Sequence, residues 1–161
     1  MTTQAVQAFC KTLTLAQAQE WKQANNRAYL LDQLMAGANI GANPYDMRRI
    51  EDQFANLLRL DIERQILEKL VDDALFYGCT VAVHDGEAWA LHRSLERDTI
   101  LAATRSTDAD TLMFFDADGV RVGVVCLIYG NGYDLISDST DSPAMQALLD
   151  GAEALAESLQ G

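Results

Sequence analysis

Apolar residues recur every three to four positions through the first half of the chain and every second position after Gly78. That change of period predicts helices followed by a sheet. Residues 3–11 form a weakly amphipathic stretch long enough for a short helix. Thr14 is placed to cap a second helix, with Leu15, Ala18, Trp21, Ala24, Ala28, Leu31 and Leu34 on one stripe and an end near Gly37. Residues 37–43 (GANIGAN) read as a loop. Asn43 then caps a third helix with Pro44 at its first position. Met47, Ile50, Phe54, Leu57, Leu58, Ile62, Ile66, Leu70 and Ala74 make its stripe, widened by Leu60, Leu67, Val71 and Leu75. Its polar face carries Arg48, Asp52, Asn56, Arg59, Glu63 and Asp73. Unbroken to Tyr77 it runs about 45 Å at 1.5 Å per residue, and Gly78 is placed to end it.

Beyond Gly78, residues 79–84 and 88–93 flank Asp85-Gly86-Glu87 as a hairpin. Residues 95–105 predict a short helix capped by Ser94 or Asp98. Residues 111–116 and 120–129 flank Ala117-Asp118-Gly119, in a register that pairs Phe114 with Val122 and Leu112 with Val124. Asn131-Gly132 is a type I′ turn signal before a strand over 133–138. Asp141 or Ser142 caps a last helix with Pro143 in its first turn. Shifted by 44 residues, Val81, Val83, Gly86, Trp89 and Leu91 fall on Val125, Leu127, Gly130, Tyr133 and Leu135, a faint repeat of hairpin then helix. The fold expected is α+β: N-terminal helices including one long helix, then a five-stranded antiparallel sheet covered by two helices. Residues 1–77 form the helical region and 78–161 the sheet region, as two domains or one continuous one.

Composition narrows the function. A chain of 161 residues with 49% hydrophobic content suits one domain or a domain with a helical appendage. No apolar run reaches the roughly 18 residues that span a bilayer. The first ten residues lack a basic segment followed by an apolar one, which argues against secretion. Cys10, Cys79 and Cys126 are odd in number and widely spaced, with no CxxC unit or zinc pattern; Cys79 and Cys126 fall in expected strands among apolar neighbours, which fits buried thiols in a reducing, cytoplasmic setting. The net charge of −12 argues against direct binding to nucleic acid. Residues 107–161 hold ten acids and one base, Arg121, and so carry −9 of that charge. Such a field favours a basic partner.

No motif of a known catalytic or phosphate-binding loop occurs. His84 and His92 share a face in the expected hairpin but stand roughly 13 Å apart at 3.3 Å per residue, too far to share a metal. Asp116-Ala117-Asp118-Gly119 lacks the later ligands of a calcium loop. No catalytic residue, cofactor or metal is therefore assigned. Asp134, Asp138 and Asp141, beside Tyr129 and Tyr133, form the most polar stretch. Rings next to carboxylates suit a protein interface.

The stretch Ile128–Thr140 (IYGNGYDLISDST), following CTVAVHDGEAWALHRS, resembles segments in small proteins carried by bacteriophages and plasmids. The likeness covers residues 78–160. That group has no activity to carry over; the resemblance implies an accessory protein of a mobile element. The function expected is a non-enzymatic acidic interaction protein. It would bind a basic surface of a host protein of nucleic-acid handling or defence, and so act as an inhibitor that fills a DNA-binding groove as a DNA mimic. One alternative is a structural oligomer or homodimer assembled through helix 44–77, with Phe54, Leu58, Ile62 and Ile66 at the interface. Another is a small enzyme or ligand-binding domain drawing on Ser137, Asp138 and His84.

Overall fold

Asn43 Oδ1 accepts hydrogen bonds from the Tyr45 and Asp46 backbone N–H groups and starts a helix, Pro44–Phe76, of 33 residues. Ahead of it come Thr3–Thr12 (α1), Leu15–Gln23 (α2) and Arg27–Gly37 (α3), so the long helix is α4. The computed structural model describes residues 3–41 and 43–161. It divides into two compact units, one ending at Asp61 and one beginning at Ile62. The division falls inside α4, not at the change of hydrophobic period. The reason is that the last turns of α4 (Ile66, Leu67, Leu70, Val71, Ala74) belong to the core of the sheet.

In the first unit Thr14 caps α2 with a reciprocal pair of bonds to Gln17. The single helix expected over 15–37 is two helices. Ala24 leaves helical geometry, and the Asn26 side chain accepts from the Tyr29 N–H to start α3. Asn25-Asn26 is the cause, because a short polar side chain next to its own backbone competes with the helix interior. Val6, Leu13, Ala18, Leu31, Met35, Ile40, Ile50 and Phe54 form this unit's core, and Trp21 packs on Phe54 with ring centroids 5.5 Å apart.

In the second unit Gly78, at φ +79°, ends α4, and the Cys79 N–H reaches back to the Ala74 carbonyl. Five antiparallel strands follow: Thr80–His84 (β1), Trp89–Ser94 (β2), Ala109–Phe115 (β3), Arg121–Ile128 (β4) and Ile136–Ser139 (β5). Their spatial order is β2-β1-β3-β4-β5. Helix α5 (Arg97–Ala102) lies between β2 and β3, and α6 (Pro143–Gln160) closes the chain. Val81, Val83, Leu112, Phe114, Val125 and Leu127 form the buried face of the sheet, packed on α4, α5 and α6. The fold is α+β, with helices on one face of the sheet.

Three local expectations change. In β4, Phe114 pairs with Gly123 and Leu112 with Val125, one residue on from the expected register, with an irregularity at Phe114/Phe115. A slip of one residue exchanges faces, so Val125 enters the core and Val124 leaves it. Gly123 then lies under α6, where a Cβ would stand 2.5 Å from Met145 Cγ and 3.0 Å from Thr140 Cβ. Asn131-Gly132 is not a type I′ turn, since Asn131 has φ −95°; a 3-10 turn over Gly132–Asp134 follows, and β5 begins only at Ile136. Neither Ser94 nor Asp98 caps α5. The Ser94 hydroxyl accepts from the Glu96 N–H, and Arg97 pairs with Asp72 of α4 at 2.6 Å instead.

The two hairpin–helix segments sit on opposite sides of β3 in mirrored order, with both helices on the core face. No rotation superposes such an arrangement, so the faint repeat is not a structural one.

Candidate protein-interaction surface

Direct partners in an antiparallel pair project to the same face. The register therefore defines the face of the sheet away from the helices. Trp89, His84, Thr111, Cys126 and Asp138 make one row across it, and Ala82, Met113 and Val124 make the next. Within this unit no helix packs on these rows; α4, α5 and α6 all contribute to the core on the other side. Met113, Val124 and Cys126 are half-buried, and Trp89 is 42% exposed. Cys126 is thus not the buried thiol expected, because its pairing with Thr111 turns it outward. Cys79 is buried, and that burial pushes its thiol pKa up.

The β2 end of this face is aromatic and basic. Val83 pairs with Leu91 and Val81 with Ser94, with irregularities between, so β2 carries extra residues against β1. As a result His84 and His92 do not stand apart as expected but flank one ring. The His84 centroid is 5.0 Å from Trp89, edge-on, and the His92 centroid is 6.1 Å from it, stacked. The Arg93 guanidinium lies 3.7 Å over the Phe115 ring. Ala82, Trp89, His92, Arg93 and Phe115 line a shallow depression there.

The β5 end is acidic. Asp138 sits in the edge strand, with Asp134 and Asp141 in the turns on either side, and all three are exposed. Tyr133, next to Asp134, is half-buried. Asp108 is exposed too, and its carbonyl accepts from the Tyr129 N–H at the neighbouring strand end. Asp134, Asp138 and Asp141 therefore lie in or next to the edge strand β5, whereas Asp108 stands at the start of the central strand β3.

Tyr129 faces inward. Its hydroxyl donates a short hydrogen bond to Asp110 Oδ2, which also accepts from the Arg105 N–H at 2.9 Å, and Asp110 is buried. Burial and the bond to Asp110 push the Tyr129 pKa well up from its ordinary value. Arg105, at φ +68°, lays its guanidinium 5.2 Å from the Tyr129 ring. Glu63, expected on the polar face of the long helix, is fully buried. Its Oε1 accepts from the Gly130 N–H at 2.6 Å and the Gly132 N–H at 3.0 Å. The pairing of Glu63 with the β4–β5 connection could not be read from the sequence pattern. Its partners are 67 and 69 residues apart, so no local spacing encodes them. The helical phase did hold a hint, since Glu63 follows Ile62 and lies four positions before Leu67 on the edge of the apolar stripe.

Two expected groupings do not assemble. Ser137 and Asp138 on β5 are separated from His84 on β1 by β3 and β4, about 14 Å at 4.8 Å per strand, and the Ser137 hydroxyl donates to the Cys126 carbonyl. The stripe of α4 is used inside the chain. Phe54 is fully buried and Leu58 packs against the first unit's core; Ile66 is buried and Ile62 packs against the second's. Among the described residues no group of three or more His, Cys, Asp or Glu side chains is placed to hold a metal ion. Among the same residues no helix is long and apolar enough to cross a membrane. No known family model matches the chain, and neither a characterised protein nor a solved structure does.

Proposed function

We propose that this chain is a non-enzymatic interaction protein whose acidic sheet edge docks on a basic surface of a partner protein. The observation that carries the reading is the row of exposed carboxylates at Asp134, Asp138 and Asp141 along the edge strand β5, beside the half-buried ring of Tyr133. An edge strand with charged neighbours resists pairing with other sheets yet offers a fixed line of negative charge. Arg121 is the one base among the last 55 residues, so little within that segment neutralises the line. Tyr133 supplies a ring for contact; Tyr129 serves from behind by fixing the turn. The resemblance to accessory proteins of mobile elements favours a host protein that handles nucleic acid as the partner, its basic groove occupied by the carboxylates.

Capture from a host lysate tests the reading. The wild-type chain and a variant carrying Asp134→Asn and Asp141→Asn are compared by mass spectrometry of what each retains. The reading expects a basic protein that the wild type holds and the variant loses. The same proteins on both would contradict it.

A further inference from the structure

We infer that the depression between Trp89 and Arg93 binds a small planar ring that carries an anionic group, a carboxylate or a phosphate. Arg93 belongs to β2, yet its guanidinium lies over Phe115 of β3, so its side chain crosses β1. Trp89 and His92 form the other wall, and the buried Ala82 of β1 lies between the two. The depression holds about 530 Å³, a size that suits a ring with one substituent.

One wall is cationic. Arg93 is held on the Phe115 ring at 3.7 Å, and Arg121 is the direct partner of Phe115 on β4, so it projects to the same face. Both arginines are exposed. Among the described residues neither forms an ion pair nor donates a side-chain hydrogen bond, whereas Arg64, Lys69 and Arg97 all pair with carboxylates. Asp116, next to Phe115, turns its carboxylate to the Asp118 and Val120 N–H groups of its own turn instead. None of the residues that line the depression is acidic. In a chain of net charge −12, two unpaired guanidinium groups on one row stand out as an anion site. Their forked N–H donors match the paired oxygens of a carboxylate or phosphate. The other wall is aromatic. Trp89 stays 42% exposed although His84 and His92 both contact its ring. A planar ligand over Ala82 meets these rings with its flat body and Arg93 with its charge. A ring alone forgoes the guanidinium, and an anion alone forgoes the rings, so tight binding needs both parts. The depression lies away from the β5 edge, and its ligand does not depend on the protein partner proposed above.

Amide chemical shifts of the full chain, titrated with benzoate and with adenosine monophosphate, are the test. The two probes separate a carboxylate from a phosphate; benzyl alcohol, adenosine and inorganic phosphate are the controls. At least one ring anion should give saturable shifts at Ala82, Trp89, His92 and Arg93. It should bind about tenfold more tightly than its uncharged counterpart and than inorganic phosphate. Arg93→Gln and Trp89→Leu should each weaken that binding by about tenfold, while Asp134→Asn leaves it unchanged. Arg93→Lys keeps the charge and loses the fork, so it should fall between the wild type and Arg93→Gln. Should Arg93→Gln fail to fold, the weaker binding of Arg93→Lys carries the test. The inference is overturned if neither ring anion shifts these amides saturably, if the controls bind as tightly, or if the Arg93 variants bind as the wild type does.

Discussion

Glu63 holds the backbone of Gly130 from the opposite end of the unit's sequence, its Oε1 accepting the Gly130 N–H at 2.6 Å and the Gly132 N–H at 3.0 Å. A carboxylate in the core face of a helix thus ties the β4–β5 connection to α4. Removing it leaves two backbone donors without their acceptor, the Gly132 donor in a buried position. Glu63→Ala should lower stability by about 2–4 kcal/mol. Glu63→Gln keeps an acceptor and should cost about 1 kcal/mol. Hydrogen exchange of the Gly130 and Gly132 amides, read residue by residue, checks this. Protection should fall steeply at both in Glu63→Ala, and unchanged protection would show that the turn stands without the carboxylate.

Tyr129 predicts an alkaline effect. Its pKa is raised in the folded chain by burial and by the hydrogen bond to Asp110. The folded state therefore keeps a proton that the unfolded state releases above its ordinary value of about 10. The stabilisation is complete below that value and is lost as pH rises beyond it toward the folded pKa. Tyr129→Phe should destabilise by about 1–3 kcal/mol at neutral pH, since Asp110 loses a donor. The gap between variant and wild type should narrow above about pH 10. Denaturant titrations at neutral and alkaline pH measure it; a gap that stays constant or widens would contradict the assignment.

Asp85 predicts the opposite sense. Its carboxylate accepts from the backbone N–H groups of Ala88 and Glu87, which hold its pKa below the ordinary value. The turn it supports should persist as pH falls and loosen only below the usual carboxylate range. The Glu87 and Ala88 amide resonances should titrate with a midpoint under about 3.9. A midpoint at or above it would mean that the carboxylate does not hold the β1–β2 turn.

Two glycines predict unequal responses to the same substitution. A Cβ at Gly123 meets the buried Met145 side chain and Thr140 Cβ, so Gly123→Ala should cost about 1–3 kcal/mol by pushing α6 from β4. A Cβ at Gly151 meets the Asp73 carboxylate and Lys69 Cε, the far ends of flexible side chains. Gly151→Ala should therefore cost less than about 1 kcal/mol while displacing the Lys69–Asp73 pair. Thermal melts of the two variants compare them directly, and equal shifts would contradict this account of how α6 docks.

The fold was legible where local chemistry speaks. Asn43-Pro44, Gly78 and Ser142 mark helix ends that the chain observes, and the hairpins at Gly86 and Gly119 close where turn residues stand. What escaped is what only long-range pairing decides. Asn131-Gly132 has the composition of a tight turn but takes another path, with Glu63 bound to the flanking amides. One residue of slip in β4 moved Val124 from core to open face, and irregular pairing of β2 drew two histidines to one tryptophan. Of the expected interaction residues, Asp134, Asp138 and Asp141 are exposed along one edge. Tyr129 turned inward because Asp110, placed by β3, takes its hydroxyl. A hydroxyl has no periodicity by which its partner could be read beforehand.

The central claim is that negative charge on the β5 edge guides this chain to a basic protein. The most direct measurement is the rate of association with the captured partner at rising ionic strength, for the wild type and for the variant carrying Asp134→Asn and Asp141→Asn. The claim predicts a wild-type rate that falls steeply as salt screens the field over about 10 Å, a slower variant at low salt, and convergence of the two at high salt. Rates that ignore salt, or are the same for both proteins throughout, would contradict it.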